Sequence, residues 1–127
     1  MPALYAIIGG SGLYDLGDDF VEHDKHFVET PYGITSAEII HGSWQNQPVV
    51  FLARHGALHR IPPHQINYRA NLYALKQQGV THAIAVNAVG GISPNYEPET
   101  IALPDQIIDY SWGRAQSFSD VAFADSK

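Results

Sequence analysis

The sequence predicts an α/β domain with a mixed central sheet flanked by helices. Three apolar runs, at residues 4–8, 48–53 and 81–86, each stop at small or polar residues, which is typical of buried parallel strands that end in tight turns. A helical pattern separates the last two runs, and strand, helix, strand is the order of a right-handed crossover unit. A chain of 127 residues, 45% hydrophobic and 16% charged, can bury one such core.

The first half of the chain is predicted to be mostly strands. The run at 4–8 is the first strand and stops at the turn Gly-Gly-Ser-Gly. The acidic stretch at 15–24 is expected to be a loop, followed by an edge strand at 27–30. Two antiparallel strands, 38–44 and 48–53, are expected around a short polar hairpin, and the second should be central because it is almost entirely apolar.

The second half contains the predicted helix. Pro62 and Pro63 suit a helix start, so we expect a helix over 64–78 that Gly79 stops. A buried strand follows at 81–86, and residues 101–110 read as one more strand, interrupted by a proline. The tail at 111–127 is polar.

Composition excludes several classes of function. The absence of cysteine rules out disulfides, thiolate metal sites and a cysteine nucleophile. A formal charge of -6 argues against nonspecific binding to nucleic acid. No run approaches the roughly 20 apolar residues of a membrane span, and the N-terminus does not resemble a secretory signal. The expected location is therefore the cytoplasm, with no membrane or nucleic-acid partner.

The ends of the three apolar runs predict a pocket for a small anion. In an open α/β sheet, ligands gather outside the carboxyl ends of the strands. There the chain places Ser11 after the first run, Arg54 and His55 after the second, and Asn87 with Ala88 after the third. Hydroxyl, guanidinium and backbone N–H donors suit phosphate or sulfate. The turn lacks the Gly-x-Gly-x-x-Gly spacing of a dinucleotide site and the lysine of a Walker loop.

Each part of this pocket also has a structural interpretation. The glycine turn alone is equally well explained as a tight strand-to-helix connection. A functional role is favoured for Arg54 and His55, because a central strand leads directly into them. For His59, Arg60 and His64, structural roles are favoured over carboxylate binding.

Two further interpretations concern metal ions and buried acids. A metal held by the three loop histidines is disfavoured, because prolines break any helical face and no acidic ligand lies nearby, so no metal is predicted. Asp105 and Asp109 are each considered as buried polar partners, although an incidental role is favoured for both.

Four motifs together resemble a known family. They are Ile-Ile-Gly-Gly-Ser-Gly-Leu at 7–13, Thr-Pro-Tyr-Gly at 30–33, the run from Arg54 to Asn71, and Val-Asn-Ala-Val-Gly-Gly-Ile at 86–92. In this order and spacing they resemble the nucleoside phosphorylase family that includes 5'-methylthioadenosine phosphorylase. The last motif, with Ile-Asp-Tyr at 108–110, is more similar to the bacterial S-methyl-5'-thioinosine phosphorylases.

The resemblance implies a phosphorylase/hydrolase-like fold and a reversible phosphorolysis. Inorganic phosphate would displace a purine from C1' of a nucleoside, giving the free base and a ribose 1-phosphate. Ser11, Arg54 and His55 match the family's phosphate ligands, and Asn87 with Ala88 falls where the family makes a further phosphate or ribose contact. No cofactor is implied, since phosphate is a co-substrate, and the family forms homotrimers or hexamers.

The resemblance also implies that residues 1–127 are the N-terminal part of a single domain. Family members are roughly twice as long, as α/β domains often are. The purine-binding residues would lie in the C-terminal half, so no catalytic residue is assigned. S-methyl-5'-thioinosine is the first substrate expected, with S-methyl-5'-thioadenosine or general purine nucleosides as alternatives. A truncated, inactive phosphate-binding remnant is the alternative that is not an enzyme.

Overall fold

The computed structural model describes residues 2–119, and its centre is a five-stranded mixed sheet. The strand order is β2-β5-β6-β1-β7, while β3 and β4 form a separate two-stranded sheet. No helix in the described part of the chain is both long and apolar enough to cross a membrane. The elements are β1 Tyr5–Gly9, β2 Phe20–His26, β3 Glu29–Thr30, β4 Gly33–Ile34, β5 Ile39–Trp44, β6 Gln47–Ala53, a 3-10 turn Pro63–Gln65, α1 Tyr68–Gln77 and β7 His82–Ala85.

Strand β1 lies between two parallel neighbours, β6 and β7. Ala6 is in register with Val50 on one side and with Ala83 on the other. The carboxyl ends of all three strands therefore lie at one edge of the sheet. The central position predicted for β6 is confirmed, since every residue from Val49 to Ala53 is buried. Its largest fully buried side chains, Phe51 and Leu52, form the middle of the core.

The predicted hairpin between β5 and β6 is confirmed. Its two turn residues, Gln45 and Asn46, have φ angles of 50° and 63°, the left-handed pair that a tight two-residue hairpin needs. The prediction for the preceding segment was wrong. Strand β2 occupies part of the stretch expected to be a loop and forms the sheet edge, whereas the expected edge strand contributes only two residues to the small sheet. An edge strand exposes most of its side chains, so β2 can be polar and shows no apolar alternation.

The helix begins later than predicted. The prolines start only the 3-10 turn, after which Ile66 is extended, with a ψ of 129°. Asn67 then caps α1, because its side chain accepts the N–H of Ala70 at 3.1 Å. The predicted stop at Gly79 is confirmed, and its φ of 84° is the left-handed value that ends helices.

No strand follows β7 in the described chain, so the prediction of a strand at 101–110 was wrong. Ile101 and Leu103 are each 97% exposed. A strand requires a neighbouring strand for its N–H and C=O groups, and none of the described residues supplies one. The predicted polar tail is described as far as residue 119, and the remainder lies outside the described residues.

Candidate functional site

The three parallel strands are joined by hydrogen bonds beyond their last paired residues. The N–H of Arg54, just after β6, donates to the carbonyl of Gly9 at 3.1 Å. The N–H of Val86, just after β7, donates to the carbonyl of Ile8 at 3.0 Å. The segments that follow the strands therefore begin side by side, at the edge where α/β sheets bind ligands.

The side chain of Arg54 spans all three strand ends. Its Nη1 donates to the carbonyl of Val86 at 2.7 Å, and its guanidinium lies against the Cα of Gly10. A guanidinium carries five N–H donors, so one bond to a carbonyl leaves others free for a ligand. Within residues 2–119 no carboxylate forms an ion pair with Arg54. A cation fixed at one end and not neutralised is suited to hold an anion.

The adjacent glycines of the turn make room for neighbouring groups. A Cβ on Gly10 would collide with the guanidinium of Arg54, and a Cβ on Gly9 would collide with the Leu13 carbonyl and the Phe51 ring. Neither glycine has a positive φ, so close approach is the reason for glycine here. Gly12 is different, because its φ of 85° requires the left-handed region and nothing lies within 4 Å of its added Cβ.

The other proposed anion ligands from these turns are exposed. Ser11 lies between the strand β1 and Gly12, and its hydroxyl forms no hydrogen bond to the described residues. Asn87 and Ala88 follow β7, and the amide of Asn87 makes only a long 3.4 Å bond to the carbonyl of Ala85. The structure thus places the start of each segment together without joining Ser11 or Asn87 to Arg54 by a hydrogen bond.

His55 is only 8% exposed and is held by the loop that follows it. Its Nδ1 lies 2.9 Å from the carbonyl oxygen of Ile61, and the N–H of Ile61 returns a 2.9 Å bond to the carbonyl of His55. The imidazole also packs on His59, with ring centroids 4.7 Å apart. His59 contacts Tyr14 edge-on at 5.1 Å, so it connects the glycine-turn segment with the loop after β6.

The remaining candidates from the sequence form no hydrogen bond or ring contact with this cluster within residues 2–119. Arg60 and His64 are exposed, with His64 in the 3-10 turn. No group of three or more metal-ligating side chains is found among residues 2–119. Asp105 and Asp109 are both exposed, so neither is a buried polar partner. The hydroxyl and the N–H of Ser111 hold the pKa of the Asp109 carboxyl below its usual value.

Two asparagines in the run from Arg54 to Asn71 have structural roles that the sequence did not reveal. Asn71 is 3% exposed, and its amide bonds both the N–H and the hydroxyl of Ser36 at 2.9 Å. Asn67 donates to the carbonyl of Tyr32 at 2.7 Å. The sequence did contain a signal for these roles, which is the pair of amide side chains four residues apart on a helix face that is otherwise mostly apolar.

The fold is that of an α/β protein in which an arginine, Arg54, is fixed at the ends of three parallel strands. Sequence comparison gives the family directly. The chain belongs to the phosphorylase superfamily, whose family model matches residues 4–127.

Relatives and solved structures support this assignment. A probable S-methyl-5'-thioinosine phosphorylase of Xanthomonas campestris is 49% identical over 118 residues, 92% of this chain and 46% of that protein. An S-methyl-5'-thioadenosine phosphorylase of Hyperthermus butylicus is 53% identical over 116 residues, 91% of this chain and 42% of that protein. The methylthioadenosine phosphorylase of Schistosoma mansoni in complex with adenine has a TM-score of 0.85 at 38% identity, covering 92% of this chain and 42% of that one. The chain therefore spans less than half the length of these relatives.

Proposed function

We propose that the protein is a purine nucleoside phosphorylase that cleaves S-methyl-5'-thioinosine with inorganic phosphate. The products are hypoxanthine and 5-methylthioribose 1-phosphate, and the role is purine salvage. The observation that carries this proposal is Arg54, an arginine without a carboxylate partner in the described chain, fixed where three strand ends meet. The similarity to phosphorylases of methylthio nucleosides supports the reaction class.

The proposed chemistry needs a phosphate held against the sugar. The free N–H groups of Arg54, the hydroxyl of Ser11 and the turn N–H groups hold the phosphate, with His55, Asn87 and Ala88 as further contacts. A phosphate oxygen forms a bond to C1' while the N-glycosidic bond breaks. The electron pair of that bond goes to the purine nitrogen, which takes up a proton, and the hydrogen phosphate gives up a proton as it becomes the sugar ester. The bound anion stabilises positive charge on the ribose as the bond breaks, so positioning and electrostatics supply the catalysis. Phosphate is a co-substrate, and no cofactor is part of this proposal.

The proposal also ranks the purine nucleosides that the protein would cleave. S-methyl-5'-thioinosine comes first, because the bacterial phosphorylases of that nucleoside are close relatives at 49% identity. S-methyl-5'-thioadenosine comes second, because the Hyperthermus butylicus relative, 53% identical, is named as a phosphorylase of that nucleoside. We also propose a cytoplasmic homotrimer or hexamer, as the resemblance to the nucleoside phosphorylase family implies.

The test begins with the intact mass of the native protein purified from its source. Base release from S-methyl-5'-thioinosine, S-methyl-5'-thioadenosine and inosine is then measured on that protein, with and without phosphate. We expect release to require phosphate and to be fastest with the first nucleoside. Release driven by water alone would indicate a nucleoside hydrolase, and anion binding without any release would indicate a phosphate-binding remnant.

The Arg54→Ala variant tests the site itself. Loss of hydrogen bonds to a charged group costs about 1.5–3 kcal/mol, so the phosphate KM should rise about 10- to 100-fold. An unchanged phosphate KM would remove Arg54 from the site. Arg60→Ala, which changes an exposed arginine of the same loop, is the matched control and should leave the phosphate KM unchanged.

A further inference from the structure

Arg114 joins the far end of the described chain to the loop that follows β6. Its Nη2 donates to the carbonyl of Pro63 at 2.9 Å, and its guanidinium lies over the Tyr68 ring, 4.2 Å from the centroid. Pro63 begins the 3-10 turn, and Tyr68 begins α1. No carboxylate among residues 2–119 forms an ion pair with Arg114. Its contacts there fasten it to the junction between the loop and the helix.

Two hydrogen bonds shorten the path from Pro63 back to Arg54. The Ile61 N–H donates to the carbonyl of His55 at 2.9 Å, and His55 Nδ1 lies 2.9 Å from the Ile61 carbonyl oxygen. His55 directly follows Arg54, and a single residue, Pro62, separates Ile61 from Pro63. The two proline rings restrict φ, so this connection is stiff. A shift of Pro63 is therefore passed on to the backbone beside Arg54.

The same loop contains a backbone conformation that its surroundings must maintain. His59 has a φ of 51°, in the left-handed region that residues other than glycine rarely adopt. Its ring packs on His55 and contacts Tyr14. Such a conformation persists only where the surrounding contacts fix it. The bond from Arg114 to Pro63 supplies a contact of this kind at the far end of the loop.

We propose that Arg114 is a positioning residue for the phosphate site, acting through the loop that carries Arg54. This inference rests on the proposed function, because it takes Arg54 as a phosphate ligand. With Pro63 held, the loop keeps Arg54 where its N–H bonds the Gly9 carbonyl and its guanidinium crosses the strand ends. Without that hold, the guanidinium occupies the binding position for less of the time. Phosphate then binds more weakly, although no ligand has been removed.

The test compares phosphate binding by the native-length protein and by its Arg114→Gln variant. Coupling through a structural element suggests that the phosphate Kd, measured by calorimetry, should rise about 3- to 30-fold, and the phosphate KM should rise with it. A role in stability alone would lower the amount of folded protein, and hence the apparent kcat, while the phosphate Kd and KM stayed native. That result would overturn the inference.

A second variant covers the case in which Arg114→Gln does not fold. Tyr68→Leu removes the ring beneath the guanidinium at a position that is 38% exposed, so it disturbs the core little. The phosphate Kd should again rise, because Arg114 loses one of its two contacts at this junction. A native phosphate Kd in folded Tyr68→Leu would then count against the inference.

Tyr32→Phe is the matched control. The Tyr32 hydroxyl donates to the carbonyl of Phe118 at 2.7 Å, so it fastens the same terminal part of the chain at a point outside the loop after β6. Phenylalanine removes this bond and keeps the ring. The phosphate Kd should stay native in this variant, even if its Tm falls. A rise equal to that in Arg114→Gln would overturn the specific role of Arg114.

Hydrogen exchange supplies an independent readout of the loop. The N–H groups of His59 and Ile61 both donate to carbonyls within the loop, so they report its local opening. Both should exchange faster in Arg114→Gln than in the native protein, and at the native rate in the control variant. Unchanged exchange in Arg114→Gln would contradict the inference.

The same measurements distinguish the two proposals. Phosphate-dependent base release together with a native phosphate Kd in Arg114→Gln contradicts only the role of Arg114. Phosphate binding that depends on Arg114, without base release from any nucleoside, contradicts only the proposed function. A native protein that does not bind phosphate would overturn both.

Discussion

The guanidinium of Arg54 lies so close to the Cα of Gly10 that no Cβ fits between them. Gly10 has no positive φ, so its backbone does not demand glycine. The missing side chain instead lets the arginine cross from the end of β6 over the end of β1 to the Val86 carbonyl. Gly10 thus positions a cation contributed by another strand.

The Gly10→Ala variant should therefore weaken phosphate binding without unfolding the protein. The colliding atoms are the far end of a flexible side chain, so Arg54 can move away at a cost to stability below about 1 kcal/mol. The displaced guanidinium should raise the phosphate KM about 10-fold or more. Phosphate kinetics and thermal unfolding of the variant check both halves of this expectation.

A double-mutant cycle shows whether Gly10 acts through Arg54. In an Arg54→Ala background the collision is gone, so adding Gly10→Ala should change the phosphate KM little. Gly90→Ala is the matched control, because its added Cβ meets open space and its φ is not positive. Additive effects in the cycle would show that Gly10 does not work through the arginine.

Asn71 should be among the most sensitive polar positions of the described chain. The Asn71→Ala variant leaves the N–H and the hydroxyl of Ser36 without their partner, which costs about 1–3 kcal/mol in the free energy of unfolding. Urea denaturation measures this loss. Lys76→Ala, at an exposed position of the same helix, should change the unfolding midpoint little. Equal effects of the two substitutions would mean that the amide bridge contributes nothing to stability.

Leu52 should be essential to the core. Its side chain is fully buried on β6, and the Leu52→Ala variant should lose about 2–5 kcal/mol in the free energy of unfolding. Leu72→Ala makes the same chemical change on α1, where the leucine is 47% exposed, and should cost far less. Thermal melts of the two variants side by side compare them, and similar losses would contradict the observed burial.

The 127-residue chain studied alone should self-associate. Strand β7 leaves one edge unpaired, and its side chains are exposed. Large apolar residues after it are also exposed, including Ile92 at 101% and Trp112 at 87%. Sedimentation velocity should show oligomers or aggregates, and binding of a hydrophobic dye should be strong. A monodisperse monomer with a cooperative thermal transition would contradict this expectation.

The sequence predicts elements well where local pattern and burial agree. Strand β6 is apolar at every buried position, so its central place could be read directly. Strand β2 is polar because it lies at an edge, and polarity alone suggested a loop. The late start of α1 is set by Asn67, which caps the helix after the 3-10 turn. The two prolines, which are themselves typical of a helix start, hid this signal. Residues 101–110 have a strand-like sequence without a described partner strand.

The candidate site, like the fold, could be predicted from the sequence only in part. The meeting of three strand ends follows from strand order, so the neighbourhood of Ser11, Arg54 and Asn87 could be anticipated. The contact of Arg54 with Gly10 and its bond to the Val86 carbonyl depend on how far a long side chain reaches, which no local pattern records. The role of His59, packed between His55 and Tyr14, was hidden for the same reason.

The position of β1 has a consequence for how the chain folds during synthesis. Among the described strands β1 is made first, and it pairs on both sides with strands made later; Leu4, just before it, bonds to Thr81, 77 residues away. At typical rates of synthesis that partner emerges about 4–15 s after Leu4. Such nonlocal pairing slows folding. During that interval one edge of an apolar strand stays open, so the nascent chain should depend on chaperones until β7 has emerged.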